Sequence, residues 1–312
     1  MEAVLESALP LFALVLLGYG AARFRVLGEN AITGLNAFVF YFALPTMLFF
    51  TMARAPVREL FDWRLAAAMC GTSTVVFAIT LALLVLMLPR RTIAERAVVS
   101  GTACFGNLGY LGLPLVIGTL GAEAGPPAGF ILMADNLYTI ALIMTFLEIG
   151  AAGRTSPMRV VRRVLTGFFR NPFMIGMILG FGVGWFEAPI PAAVDRFGTI
   201  LGGAAGPCAL FALGGTLYGK PIADGRAEVG LAVLLKLVLM PTVGLVIAAW
   251  VLGLPDFQVL VFVVLAGLPT GAGVFVLATQ YGVAVARAST AVLVSTAISV
   301  LTVPALLIWM GG

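Results

Sequence analysis

Long apolar stretches alternate with short polar ones along the whole chain, and the apolar stretches have the length of membrane spans. A helix needs about 20 apolar residues to cross the ~30 Å hydrocarbon core of a bilayer. Ten stretches approach that length: 4–22, 32–53, 64–88, 97–119, 127–149, 172–187, 194–218, 228–253, 257–281 and 287–310. The sixth is short. The pattern predicts an all-α integral membrane protein of about ten transmembrane helices. Two of these helices are interrupted. Residues 101–121, GTACFGNLGYLGLPLVIGTLG, carry Gly101, Gly106, Gly109, Gly112 and Pro114 without a charge; residues 260–282, LVFVVLAGLPTGAGVFVLATQYG, carry Gly267, Pro269, Gly271 and Gly273. Glycine weakens a helix, and proline removes a donor and disfavours helical geometry before it. In lipid, freed backbone groups are tolerated only where protein or a water-filled cavity satisfies them. The expectation is a broken helix near mid-bilayer in each case, at Gly112–Pro114 and Gly267–Pro269, with Asn107 at the first break.

The two halves echo each other. The longest polar stretch, 150–171, reads as a basic cytoplasmic loop, 151–171, between a first repeat (1–150) and a second (172–312) of five spans each. Five is odd, so the halves insert with opposite orientation. FALPTMLFF around Pro45 resembles AAGPCALFAL around Pro207, both broken spans contain Gly-Leu-Pro, and ILMADNLYTIAL aligns with AVLVSTAISVLT, placing Asp135 opposite Ser295. An inverted repeat brings two broken spans together at the midplane, where secondary transporters bind their substrates.

Charge sets the orientation. One set of loops holds Arg23, Arg25, Arg90, Arg91, Arg96, Arg154, Arg159, Arg162, Arg163, Arg170, Lys220, Arg226 and Arg287; the other holds Arg54, Arg58, Arg64 and Arg196. By the positive-inside rule the first set is cytoplasmic and both termini lie outside. Composition agrees with a membrane protein: 10% of residues are charged, against about 25% in soluble domains, and the mean hydropathy is +1.11. The net charge of +4 is spread over short loops and is no nucleic-acid footprint. There is no histidine, which removes the commonest metal ligand and general base. Cys70, Cys104 and Cys208 fall in spans and read as small apolar residues. No metal or cofactor is expected. The N-terminus, MEAVLES, lacks the positive region of a cleaved signal, so the first span is expected to be retained.

Candidate chemistry gathers at the breaks. Pro114 and Pro269 suit the first turn of a new half-helix, whose positive end then points at the bilayer centre. Two such ends suit a carboxylate. Asn107 and Thr270 add directed hydrogen bonds, and Gly271 belongs to the second break. Asp135 and Lys236 each lie about 12 Å into a span at 1.5 Å per residue. Charges at that depth are usually functional or paired. Asp135, with Asn136 beside it, reads as a coupling residue or as a hydrogen-bonded structural one. Lys236 reads as part of the same coupling group or as a counter-charge to the carbonyl end of a broken helix. Gly176, Gly180 and Gly184 form a small-residue face, read first as close packing within the protomer and second as a dimer interface. The Arg159–Arg163 cluster is expected at anionic lipid headgroups. Glu148 reads as interfacial.

LNAFVFYFALPTMLF (35–49), GNLGYLGLPLV (106–116), RNPFMIGMILG (170–180), LKLVLMPTVG (235–244) and GLPTGAGVFVLATQYG (267–282) together resemble the auxin efflux carrier family over essentially the full chain. The resemblance implies two inverted five-helix repeats, as in bile-acid symporters and sodium/proton antiporters. Helices 1, 2, 6 and 7 would form a scaffold, often dimeric, and helices 3–5 and 8–10 a transport domain with helices 4 and 9 crossed. Family members carry organic anions: auxin in plants, and dicarboxylates such as malate or malonate in bacterial relatives. The short 151–171 segment resembles the bacterial type, in the inner (cell) membrane. The expected function is a secondary carrier of small organic anions, mainly carboxylates, working by alternating access. Asn107, Tyr110, Pro114, Pro269, Thr270 and Gly271 would line its site, with Tyr41 and Pro45 on the scaffold wall. Asp135, Asn136 and Lys236 would couple transport. Partners would be the anion, membrane lipid and a second copy, with no nucleic acid. The nearest alternative is a sodium-coupled symporter of the bile-acid type. From other classes, a membrane-embedded receptor leaves the paired breaks unexplained, and an enzyme lacks acid–base or metal residues.

Overall fold

The computed structural model describes residues 2–55, 62–150, 157–218 and 225–311. Arg58, Arg154 and Lys220 of the orientation argument lie outside the described residues. Every regular element among the described residues is helical. The chain runs through α1 (Glu2–Arg23), α2 (Glu29–Ala53), α3 (Trp63–Met87), α4 (Ile93–Cys104), α5 (Leu108–Leu120), α6 (Ala122–Gly150) and α7 (Pro157–Arg170). It continues through α8 (Pro172–Trp185), α9 (Ala192–Leu217), α10 (Arg226–Val251), α11 (Asp256–Ala266), α12 (Ala272–Tyr281) and α13 (Val285–Gly311). Six of these, α2, α3, α6, α9, α10 and α13, are long and apolar enough to cross a bilayer alone. The protein is a multi-pass membrane protein.

Three prolines inside the helices are absorbed without a break. Leu44, Leu113 and Met240 stand directly before Pro45, Pro114 and Pro241, and their N–H groups reach back five residues, to Val39, Leu108 and Leu235. A proline removes one donor and crowds the carbonyl four residues back. One wide π turn relieves both, and such turns are frequent at functional sites. This moves the first break. The fourth apolar stretch is interrupted at Phe105–Asn107, several residues before the predicted Gly112–Pro114. Phe105 is extended, Asn107 departs from helical geometry, and Gly112 already donates to the Asn107 carbonyl at 3.0 Å inside the π turn. The second interruption, between Ala266 and Ala272, contains Gly267–Pro269 as predicted.

The predicted loop at 151–171 also differs. Residues Pro157–Arg170 form α7, which meets α8 at 72°. Asn171 makes that corner by accepting a hydrogen bond from the Phe173 N–H at 2.9 Å, with Pro172 in the first turn of α8. Val164 is buried and Val160 and Phe168 are half-buried. Their spacing of four residues fixes one face of α7 against the protein.

Small residues bring the remaining helices together. A side chain at Gly18 or Gly214 would collide with the Phe211 or Val15 carbonyl, so α1 and α9 touch backbone to backbone; Gly176 and Gly180 press α8 onto the Pro45 and Phe49 carbonyls of α2 in the same way. Close approach of this kind replaces the hydrophobic drive that lipid does not supply. The half-helices α4 and α11 lie at the centre: Ala97–Cys104 and Val261–Ala266 are buried throughout.

A ring of ion pairs holds the ends of α4, α10 and α13. Thr92 and Glu95 form a capping box at the start of α4. Glu95 also accepts from Arg287 at 2.7 Å, and Glu228 accepts from Arg287 and Arg91, each at 2.8 Å. Partial burial pushes the Glu95 carboxyl up, but the Thr92 amide and the Arg287 guanidinium overcome it and hold the group down at about 2. A depressed carboxylate stabilises the fold above its unfolded pKa and loses that contribution as the pH falls towards the folded value. The melting temperature in detergent is therefore expected to drop between pH 4.5 and 2. Glu95→Gln should lower it at neutral pH and flatten that acid slope. An unchanged slope would show that Glu95 is not the group lost.

Candidate functional site at the crossed breaks

The two interruptions meet. Asn107 N–H donates to the Pro269 carbonyl at 2.9 Å, and Gly271 N–H donates to the Phe105 carbonyl at 3.0 Å. Gly106 and Thr270 thereby form a single antiparallel bridge between the breaks. Backbone groups freed by one broken helix are satisfied by the other, as the interior of a membrane protein requires.

Side chains from neighbouring spans take the groups the bridge leaves over. The Gly106 N–H points at Asp135 Oδ2 of α6 at 3.4 Å, and the Thr270 N–H donates to Ser295 Oγ of α13 at 3.0 Å. These are the two positions that the sequence repeat aligns. Thr270 Oγ1 donates to the Thr102 carbonyl in the last turn of α4 at 2.7 Å, and Lys236 Nζ donates to the Ala266 carbonyl that ends α11 at 2.7 Å. A cation suits the negative end of a helix. Lys236 thus makes the counter-charge contact that was one of its two sequence readings. Asp135, Lys236, Thr270 and Ser295 are fully buried, and among the described residues Asp135 Oδ1 has no hydrogen-bond partner, the neighbouring Thr139 hydroxyl donating to Ser73 Oγ at 3.0 Å. Asp135 lies in the π turn Asp135–Thr139 and Lys236 in the π turn Leu235–Leu239.

At Asn107 only the backbone is committed. Among the described residues its side-chain amide takes no partner, and the residue keeps 8% of its surface. The helices that begin here, α5 and α12, have no side-chain cap, so their first N–H groups and positive ends remain available. A cavity of about 740 Å³ opens beside the crossing, lined near it by Phe105, Asn136 and Gly273. That volume is in the usual range for small-molecule sites.

The sequence candidates divide into four places. Asn107, Pro269, Thr270 and Gly271 make the crossing itself, with Asp135 and Lys236 behind it. Asn136 lines the cavity, its side chain also donating to the Leu132 carbonyl at 3.0 Å. Tyr110 is half-buried with its ring 6.0 Å from that of Phe173 on α8, and Pro114 is buried next to Gly206 of α9. Tyr41 and Pro45 line a separate pocket of about 370 Å³ between α2, α8 and α9. Phe105, Ser295 and Arg163 were not among the candidates, although Phe105 bridges the breaks and Arg163 lines the cavity. Ser295 carried a signal in its alignment with Asp135; Phe105 carried none.

A family model described as "Membrane transport protein" matches residues 3–160 and 151–307. The chain is 35% identical over 310 residues to a Rhizobium meliloti protein named "Putative malonate transporter", covering 98% of this chain and 96% of that one. It is 28% identical over 312 residues to an "Uncharacterized transporter" of Methanothermobacter thermautotrophicus, covering 96% of each. It is 25% identical over 313 residues to the "Uncharacterized transporter YfdV" of Escherichia coli K12, covering 95% of this chain and 94% of that one.

Proposed function

The chain belongs to the auxin efflux carrier family of membrane transport proteins, and we propose that it carries small carboxylates across the bacterial inner membrane by alternating access. The observation that carries this reading is the crossing: two broken helices satisfy each other's backbone beside a cavity, while the Asn107 amide and two helix N-termini stay unclaimed. Fixed donors and positive helix ends favour an anion without burying a full counter-charge. The name of the Rhizobium relative supports a dicarboxylate, with malonate as the first to test.

The same proposal covers the architecture. Counting α4 with α5 and α11 with α12 as interrupted spans gives ten spans, in two inverted repeats of five. The matched roles of Asp135 and Ser295 support the repeat. The backbone contacts of α1 with α9 and of α8 with α2 support a scaffold of spans 1, 2, 6 and 7, and the α8–α2 contact favours close packing within the protomer over a dimer interface for Gly176 and Gly180. The remaining spans would carry the crossing as the moving domain. The arginine excess supports cytoplasmic placement of the α3–α4 and α6–α8 connections and external termini. Asp135 is the proposed proton-coupling residue, with Asn136 beside it and Lys236 holding the carbonyl end of α11.

The test is uptake of radiolabelled malonate into liposomes, with other carboxylates as competitors, under imposed pH or sodium gradients. Uptake driven by the pH gradient supports the reading; dependence on sodium selects the symporter alternative. Absence of uptake or exchange for every carboxylate rejects the substrate class. Asn107→Ala should weaken malonate binding about tenfold or more, because a hydrogen bond to a charged group contributes about 1.5–3 kcal/mol. The melting temperature should hold, since the backbone bond to Pro269 remains. Unchanged affinity would reduce Asn107 to a packing residue.

A further inference from the structure

α7 turns three of its arginines towards the cavity. Arg162, Arg163 and Arg170 all line it, together with Asn171 and Gln280; the arginines are exposed, whereas Phe105 in the same wall is buried. The exposed apolar residues of the same helix, Met158, Val161, Leu165 and Phe169, recur every three or four positions and take no part in that wall. An amphipathic helix in an interface places such a stripe among acyl chains. Arg162 flanks this stripe, four residues after Met158 and three before Leu165, while Arg163 and Arg170 lie further round the helix; all three nevertheless reach the cavity wall.

The three arginines are not equivalent. Arg163 Nη1 donates to Glu148 Oε1 and to the Tyr281 hydroxyl, both at 2.6 Å, and that hydroxyl donates to Glu148 Oε1 at 2.7 Å. The triad ties α7 to the ends of α6 and α12. Arg162 and Arg170 are exposed, and among the described residues neither has an ion pair or a hydrogen bond. Two guanidiniums with free planar forks therefore stand in the wall of a cavity that Phe105 and Gly273, beside the crossing, also line. Guanidinium recognises carboxylate and phosphate oxygens in bidentate fashion.

We propose that Arg162 and Arg170 form a second anion site at the mouth of the cavity, which captures the carboxylate before it reaches the crossing. The proposal rests on the reading of the chain as a carboxylate carrier. The shared chemistry is an oxyanion, which a soluble carboxylate or an anionic lipid headgroup supplies; the place of both arginines in the wall of the cavity that reaches Phe105 favours the soluble source.

Malonate uptake by the double variants Arg162→Gln/Arg170→Gln and Arg162→Lys/Arg170→Lys tests it. Each is measured in liposomes of phosphatidylcholine alone and with added phosphatidylglycerol. The glutamine variant is expected to raise KM about tenfold with an unchanged maximal rate, equally in both lipids and most strongly at low salt. The lysine variant keeps the charge without the planar fork and should recover only part of the loss, which separates charge from misfolding. An unchanged KM, a loss confined to the maximal rate, or an effect seen only with phosphatidylglycerol overturns the site. If the wild-type protein moves no carboxylate at all, the carrier reading fails first, and the second site with it.

Discussion

Asp135→Asn is expected to abolish accumulation driven by a pH gradient while leaving anion exchange intact. Asp135 is fully buried, with one oxygen facing the Gly106 N–H at 3.4 Å and the other without a partner among the described residues. It also lies within electrostatic reach of Lys236, which is bonded to the end of α11. Both contacts belong to the crossing. If the crossing moves when the site changes sides, the donor, the nearby cation and the access of water to Asp135 change with it. A group whose surroundings differ between two states binds its proton with different affinity in each, and that difference is coupling. Asparagine keeps the size and the oxygen that accepts from Gly106, and removes the titration. The measurement is malonate accumulation by wild type and variant in liposomes across an imposed pH gradient, with counterflow exchange as the control. Equal pH dependence in the two would make Asp135 structural. Loss of both activities with a lowered melting temperature would also count against a coupling role, since exchange needs no net proton movement.

Much of this arrangement is legible in the sequence because lipid punishes free backbone polar groups. Glycine and proline in two otherwise uncharged spans announced two breaks, and the alignment of Asp135 with Ser295 announced a repeat, without a role for Ser295. The position of the first break was not legible. Gly112–Pro114 has the composition of a break, yet the π turn at Leu108–Gly112 absorbs Pro114. The real interruption at Phe105–Asn107 is stabilised by partners some 160 residues away, Pro269 and Gly271, and no local pattern reports such partners. Nor does the dipeptide decide: Leu113–Pro114 sits after a wide turn, whereas Leu268–Pro269 lies in the second break itself. α7 escaped because its arginines lower the hydropathy of a segment whose apolar residues still keep helical spacing. Which way those arginines face is a property of packing alone.

Gly271→Ala is expected to lower the melting temperature and to stop transport, whereas Gly230→Ala should do neither. The backbone of Gly271 has φ −78° and ψ 146°, a conformation open to any residue. Glycine is required there by space. A Cβ at Gly271 would collide with the Gly106 carbonyl and lie 2.8 Å from the Phe105 ring. The ring is a side chain at the cavity wall, whereas the carbonyl is held in the bridged backbone. Relief means separating the breaks, which stretches the Gly271–Phe105 and Asn107–Pro269 hydrogen bonds together and pulls Thr270 from Ser295. Forcing an extra carbon into a packed interior costs about 1–3 kcal/mol, and here the displaced atoms are those of the proposed site. Gly230 faces open space on α10, where alanine gains up to about 1 kcal/mol of helix propensity. The pair of variants carries the same added methyl group, so their contrast isolates the contact from the chemistry of the substitution. Melting curves in detergent and malonate exchange in liposomes measure it. A Gly271→Ala protein that melts and exchanges like wild type would show that the two breaks do not need to touch, and the crossing would lose its claim to be the site.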